Sequence, residues 1–475
     1  MKVCVLQTDY STSSVDYQYY DPPRHLSHLL PEAAIDHVQL NKLTTYAQLK
    51  ALKQKGYDIY VNLCEGYLEW EVPSIEVIYF LELLELPFTG PTSLLYDPPK
   101  ELMKYVAYCE GIPSTRHILL EPGDDWHQAC TRLRFPLFVK PAKAGDSLGI
   151  DNESLVHTPE QLARQVEKIS KLYPQLLIEE YIAGREFTVL IAANPDGETA
   201  TAYQPVEFIF PEGYTYKTYS LKTSELHPDA NVPCTDPVLR SRLEEAALKI
   251  FKGFQGTGYA RLDFRMNDAG ELFFLEINFT CSVFYADGYE GSADYILKHD
   301  GTGQAGFLRH IIAEGMARYA RMRKKYNIRG DALSGYGIYA NQFIKRNELI
   351  FKGEMGAQRI VTHRFVREHW PDNEKLMFRR YAYPLSNEVF LLWDNNPAEW
   401  APQNHSCQPN TAYDGLNVIA ITDIPPGQEL TLDYASFLDE NMEPFQCTCG
   451  SLGCRGWITG SPGNSVTHRE SVRKP

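Results

Sequence analysis

Apolar residues keep two different rhythms along this chain, and the change falls at Asn327-Ile328-Arg329-Gly330. Before it, strand and helix patterns alternate. Lys2 to Gln7 reads as an apolar strand, Tyr46 to Lys55 as an amphipathic helix, Tyr57 to Leu63 as a strand, and Val72 to Leu86 as a long helix ended by Pro87. Such alternation predicts a parallel sheet covered by helices. A second region opens with a helix at Lys100 and continues into the strand Pro136 to Lys140. A third runs from Leu176 to the helix Ala305 to Lys325. After the break come short strands punctuated by Pro and Asn, with helical periodicity at His363 to Arg380, which predicts a mostly β domain. With 475 residues, about three compact units are expected. The expected boundaries are 1–95 (α/β), 96–325, 326–444 (mostly β), 445–458 (a cysteine-bearing segment) and 459–475 (a disordered tail).

Composition removes several classes. No apolar run approaches the ~18 residues of a membrane span, since Ser74 to Phe88 is interrupted by Glu76, Glu82 and Glu85. The start turns polar at Gln7-Thr8-Asp9, too early for a secretory signal. The formal charge is −15, of which −3 falls from Tyr326 onward and −12 before it. Neither part has the basic excess of a phosphate-backbone binder, so direct nucleic-acid contact and membrane insertion are not expected. The run Arg318, Arg321, Arg323, Lys324, Lys325 reads as a solvated helix face rather than a nuclear signal. Six of ten cysteines are scattered between Cys4 and Cys281, as in a reducing compartment, and the cytoplasm or nucleus is expected.

The hairpin Tyr259 to Phe279 carries the first chemistry. Arg261 and Asp263 lie two apart on one strand and leave the same face, as do Glu276 and Asn278 on the return strand after the turn at Asn267-Asp268-Ala269-Gly270. Three oxygen donors and a guanidinium above one hairpin suit Mg²⁺ bridging nucleotide phosphates. Lys140, ending a strand before a small Gly-bearing loop, is placed to meet phosphate. Leu176 to Ile182 offers backbone groups for an adenine edge, and Glu186 a carboxylate for ribose hydroxyls.

Taken in order, these segments resemble the ATP-grasp superfamily, and within it D-alanine–D-alanine ligase. The resemblance spans about residues 1 to 320. It is carried by Leu86 to Gly90, Lys100 with Lys104, Phe135 to Pro141, Leu177 to Val189, Arg261 to Asp263 and Leu275 to Asn278. It implies an N-terminal parallel α/β subdomain plus two α+β ATP-grasp subdomains. Lys100 and Lys140 would contact phosphates, and Glu179, Glu180, Tyr181, Ile182 and Glu186 would hold the nucleoside. Asp263, Glu276 and Asn278 would bind two Mg²⁺, and Arg261 would stabilise an oxyanion. The implied chemistry is attack of a carboxylate on the γ-phosphate, then displacement of phosphate by an amine. Substrate positions depart from the family. Its N-terminal glycine pair is missing from Val5 to Ser11, Glu65-Gly66 stands where it has histidine before glycine, and Phe279 to Ser282 replaces Ser-Pro-Gly. Lys217 and Lys222 compete for one lysine position. D-Alanine is not supported as substrate, and small-molecule carboxylate and amine substrates are expected.

Cys447-Thr448-Cys449, followed by Cys454, is a C-x-C-x₄-C run that favours tetrahedral Zn²⁺, with Cys407 the nearest fourth thiolate in sequence. Together with Gly335-Tyr336-Gly337, Asn404 to Asn410 and Glu429 to Tyr434, it resembles the SET-domain methyltransferases with a post-SET zinc segment, over about residues 326 to 458. The resemblance implies a mostly β SET domain with a pseudoknot. Gly335, Tyr336, Gly337, Asn404, His405 and Tyr434 would meet S-adenosylmethionine, Tyr434 would be catalytic, and Cys407, Cys447, Cys449 and Cys454 would hold a structural zinc. Leu432 stands where many members have an aromatic residue, and Ala398 to Gln403 replaces the usual Arg-Phe approach.

The expectation is a bifunctional enzyme, an ATP-dependent carboxylate–amine ligase joined to an N-methyltransferase. The methyl would go to lysine or another primary amine on a peptide, protein or metabolite. The alternative keeps only protein-lysine methylation, with the ATP-grasp part as a nucleotide-binding recognition module. The oligomeric state is left open.

Overall fold

The computed structural model describes residues 1–13, 21–65, 72–143, 149–217, 230–331, 335–353, 356, 358–393, 401–440 and 443–461. The loop 144–148, Lys222, Gly66, residues 398–400 and most of the tail, all read above, lie outside these. The chain divides into two compact units, 1–322 and 323–475. No helix among the described residues is long and apolar enough to cross a membrane.

Among the described residues, the first unit holds three sheets. β1 (Lys2–Thr8), β2 (Ala34–Leu40) and β3 (Ile59–Asn62) form a parallel sheet in the order β2-β1-β3. Val3 to Leu6 are fully buried, because helices cover both faces of such a central strand. β4 (His117–Leu120), β5 (Leu137–Pro141), β6 (Leu155–Val156) and β7 (Leu176–Glu180) pair antiparallel in the order β4-β7-β5-β6. The third sheet comprises β8 (Arg185–Ala193), β9 (Ala200–Ala202), β10 (Val206–Phe208), β11 (Asn231–Pro233), β12 (Tyr259–Met266) and β13 (Leu272–Asn278). Its order is β11-β10-β8-β12-β13, with β9 on β8. One core joins Val3, Val5, Ile59 and Val61 of the parallel sheet to Phe307, Leu308 and Ile311 of the helix Gly303–Met322.

Three expectations change around the first unit. The helix expected at Val72 to Leu86 is Ile75–Leu83: Pro73 disfavours helix at Val72, and Glu85 takes a left-handed φ of 52°. The helix expected to reach Lys325 stops at Met322, and Tyr326 enters a strand. Its basic run is not one solvated face. Arg318 is buried, donating to the carbonyls of Gly90 (2.8 Å) and Phe88 (2.7 Å).

The second unit is built from short strands. β14 (Tyr326–Asp331) and β15 (Gly335–Ala340) form a hairpin, β16 (Leu349–Phe351) pairs with a later strand, and β17 (Gln358–Thr362) begins a small sheet with β18 (Tyr383–Pro384) and β19 (Val389–Trp393). The helical stretch read at His363 to Arg380 is two helices, His363–His369 and Asp372–Tyr381, because Pro371 has no N–H to continue the first. β20 (Asn404–His405) lies parallel to β23 (Thr431–Leu432), while β21 (Thr411–Asp414) and β22 (Asn417–Ala420) make a hairpin that accepts β16. β24 (Phe445–Gln446) and β25 (Trp457–Ile458) close the described chain.

Candidate functional site

In the first unit, the β12–β13 register sets Arg261 opposite Asn278 and Asp263 opposite Glu276. A bulge beyond Asp263 pairs Phe264 with Phe274 and leaves Leu275 over, bending the strand at the charged end. Arg261 grips Asp263 through Nε (3.3 Å) and Nη2 (3.2 Å), and Lys100 Nζ lies 2.7 Å from Glu276 Oε2. Burial works against the charge of Asp263, yet Arg261 holds its carboxyl below the usual range. Burial likewise opposes the Lys100 ammonium, and Glu276 more than restores it.

Glu179 is the hub of the opposite wall. Its carboxylate meets Lys140 at 2.5 Å and Lys104 at 2.9 Å, and accepts from Thr115 Oγ1 at 2.8 Å. Burial would raise its pKa, but the two lysines outweigh it and hold the carboxyl far below its ordinary value. Glu186 is similarly braced by Arg265 (3.2 Å) and Lys217 (3.1 Å). Arg265 also donates to the carbonyls of Ile182 (2.7 Å) and Thr215, and lies 4.8 Å over the Tyr181 ring. The Glu180 carboxylate accepts from Arg134 N–H at 3.0 Å.

One cleft is lined by Lys100, Lys140, Glu179, Glu180, Tyr181, Ile182, Glu186, Arg261, Asp263 and Glu276, together with Lys217 and Arg265. Asn278 is not among the lining residues, and its Oδ1 accepts from Thr280 N at 2.9 Å. Sequence reasoning passed over Arg265 and Thr115. The alternation Arg261, Asp263, Arg265 on one strand was a signal for the first. Thr115 had none.

In the second unit, β20 and β23 bring the motif residues together. Asn410 clamps the crossing, donating to Glu429 O (2.7 Å) and accepting from Thr431 N (2.9 Å). Asn404 Nδ2 donates to Glu429 Oε1 at 2.7 Å. A Cβ on Gly337 would fall 2.3 Å from that same oxygen and 2.8 Å from Asn404 Nδ2. Gly337 therefore makes room for this side-chain pair, whereas Gly335 is needed for its φ of 73°. Tyr336 stands exposed beside them on β15.

Tyr434 follows β23 and donates its hydroxyl to Gln403 O at 2.5 Å. Burial pushes this phenol up to about 12, so it stays protonated at neutral pH. His405 Nδ1 accepts from Tyr434 N–H at 3.1 Å, which leaves the ring proton on Nε2, 3.4 Å from Cys407 Sγ. None of the four late cysteines is in a disulfide, and their sulfurs lie within 4.8 Å of one another. Cys407 and Cys447 are 3.8 Å apart. Tetrahedral zinc with bonds of ~2.3 Å demands sulfur separations of about 3.8 Å, so this donor set fits the ion. Backbone N–H groups of Cys407, Cys449 and Arg455 point at these sulfurs at 3.5, 3.4 and 3.4 Å, as thiolates require.

Comparison with known proteins agrees with both halves. The family model D-ala D-ala ligase C-terminus matches residues 108–283, and the SET domain model matches 335–435. The D-alanine–D-alanine ligase B of Chromobacterium violaceum is 30% identical over 237 residues, covering 48% of this chain and 72% of that protein. The D-alanine–D-alanine ligase of Halothermothrix orenii is 30% identical over 209 residues, 42% of this chain and 59% of that protein. A crystal structure of the Bacillus anthracis D-alanine–D-alanine ligase shares the fold, with TM-score 0.50 and 19% identity, covering 68% of this chain and all of that one. The chain is an enzyme that belongs to the D-alanine–D-alanine ligase family through the ATP-grasp fold of its first unit, with a SET methyltransferase domain in its second.

Proposed function

We propose that the chain is a bifunctional enzyme, an ATP-dependent carboxylate–amine ligase whose second unit methylates a primary amine from S-adenosylmethionine. The observation that carries the ligase half is the hairpin register, which sets Asp263 against Glu276 and leaves Arg261 and Lys100 beside them in one cleft. In this reading Lys100 and Lys140 hold nucleotide phosphates, and Glu186, braced by Arg265 and Lys217, takes the ribose hydroxyls. The backbone of Glu179 to Ile182 meets the adenine edge, while the Glu179 side chain orients Lys140. Asp263, Glu276 and Asn278 would hold Mg²⁺, which supplies neutralisation of phosphoryl charge when bound. Arg261 donates to the oxyanion that develops as the amine adds.

In the second unit, Asn404 and His405 with the β15 backbone would border S-adenosylmethionine. The Tyr434 proton is directed to Gln403 O, so its oxygen lone pairs remain to accept from the amine and align it with the methyl donor. Zinc on Cys407, Cys447, Cys449 and Cys454 would be structural, since four thiolates leave no open position.

The test is to incubate the full chain with ATP, Mg²⁺, methyl-labelled S-adenosylmethionine and a panel of amino acids, following products by mass. Amino-acid-dependent ADP release with a new amide carrying label is expected. ADP release without any amide would overturn the ligase reading. Freshly purified protein should hold one zinc per chain by elemental analysis. Cys449→Ser should lose the metal and methyl transfer while keeping amino-acid-dependent ADP release.

A further inference from the structure

In α/β sheets, ligands sit outside the carboxyl ends of the strands. Tyr10 and Glu65 lie in the loops that leave the carboxyl ends of β1 and β3, which are neighbours in the parallel sheet. The segment Ser282 to Tyr285, just downstream of β13, joins them, and Arg24 is buried between the three. Its guanidinium meets Glu65 at 2.9 Å and Asp21 at 3.1 Å, and donates to the carbonyls of Leu63 (2.9 Å) and Val283 (3.2 Å).

The two carboxylates are not equivalent. Asp21 accepts from the Tyr10 hydroxyl at 2.5 Å, from Tyr285 at 2.7 Å and from Arg24, and so serves as the fixed counter-ion of Arg24. Among the described residues, Glu65 takes one bond on each oxygen, from Arg24 and from Ser282 Oγ, and its side chain keeps 18% exposure. Each carboxylate oxygen has a second lone pair, so Glu65 can accept a donor from outside the chain. It is also the surplus negative charge of the cluster.

The ligase chemistry above lacks a group to take the proton that an ammonium must lose before it attacks. We propose that Glu65 is that general base: it holds the ammonium of the amine substrate and accepts its proton. The proposal rests on the ligase reading. R–NH₃⁺ gives one proton to the Glu65 carboxylate, the freed lone pair forms the C–N bond, and the acyl C–O bond breaks with its electrons on phosphate. A second nitrogen proton leaves with the phosphate as HPO₄²⁻, and Glu65 returns its own to water. The substrate class is therefore an amine that arrives protonated, such as an amino acid.

Glu65 does not line the nucleotide-side cleft itself, but Ser282, which donates to it, lies four residues past Asn278, the strand partner of Arg261. Electrostatics support the placement. Burial, reinforced by Asp21 and opposed by Arg24, pushes the Glu65 carboxyl up to about 7, where a general base works best. Among the described residues, the other titratable groups within its reach are Tyr10, Cys64, Tyr96, Tyr259, Cys281 and Tyr285. Burial raises all six above their ordinary values, so they stay neutral near pH 7.

Hydroxylamine separates the two half-reactions, because it traps an activated carboxyl as a hydroxamate and is itself unprotonated at neutral pH. The full chain is given ATP, Mg²⁺, the proteinogenic amino acids and D-alanine, with and without hydroxylamine. Glu65→Gln should keep hydroxamate formation near the wild-type rate and lose amide formation by about two to four orders of magnitude at pH 7. Wild-type amide formation should level off above pH about 7. In Glu65→Gln it should keep rising about tenfold per pH unit as solvent supplies free amine, and Glu65→Asp should restore part of the loss. Unchanged amide formation in Glu65→Gln overturns the proposal. So does equal loss of amide and hydroxamate in both variants, which would make Glu65 a structural residue. A wild type that forms no hydroxamate with any amino acid would instead strike at the ligase reading itself.

Discussion

Glu276→Ala is expected to suppress ADP formation by about three orders of magnitude or more, while S-adenosylmethionine binding stays unchanged. Glu276 faces Asp263 across the hairpin and holds Lys100 at 2.7 Å. Alanine removes a carboxylate proposed to bind the metal and strips a largely buried lysine of its partner. A parallel Glu276→Gln variant keeps the side-chain shape and an acceptor for Lys100, so it isolates the loss of charge. ADP is followed by a coupled assay and S-adenosylmethionine by calorimetric titration. Turnover that survives both substitutions would show that the metal is held elsewhere.

Tyr434→Phe should lower methyl transfer by about two to four orders of magnitude and leave ligation near wild type. The substitution removes the hydroxyl that donates to Gln403 O. It keeps the ring that packs at 5.5 Å from both Phe437 and His405. Fold and cofactor affinity should therefore persist, and the defect should appear in kcat. Because the phenol lies up near 12, the residue acts as a neutral dipole and not as a base. The wild-type profile should then show no step assignable to Tyr434 between pH 6 and 9. Normal methylation by Tyr434→Phe would refute the assignment. Loss of both reactions would mean that the two activities are coupled.

The hairpin was legible in the sequence because a period of two is local: Arg261, Asp263, Glu276 and Asn278 needed only the turn at Asn267 to Gly270 to fall on one face. The cysteine cluster was legible for a similar reason, since three of its members lie within eight residues. What could not be read depends on tertiary partners. The Glu179 side chain had no local signal for its role, because Lys104 and Lys140 reach it from two other elements. Gly337 carried the right residue type, yet the space it clears is taken by Glu429 and Asn404. The Arg24 cluster draws on four separated segments with no shared spacing. The break at Pro371 was visible but was outweighed by helical periodicity on both sides.

The matched charges of the cleft bear on how the proposed nucleotide would enter it. Lys100 is already claimed by Glu276, Lys140 by Glu179, and Arg261 by Asp263. An arriving phosphate cannot simply be captured; it must compete with a carboxylate of the chain for its lysine. In the proposed reading, Glu276 and Asp263 held by a divalent cation would leave Lys100 to a phosphate and Arg261 to the oxyanion. On that reading nucleotide and cation would admit one another by exchange of partners, and the affinity for either would rise with the concentration of the other.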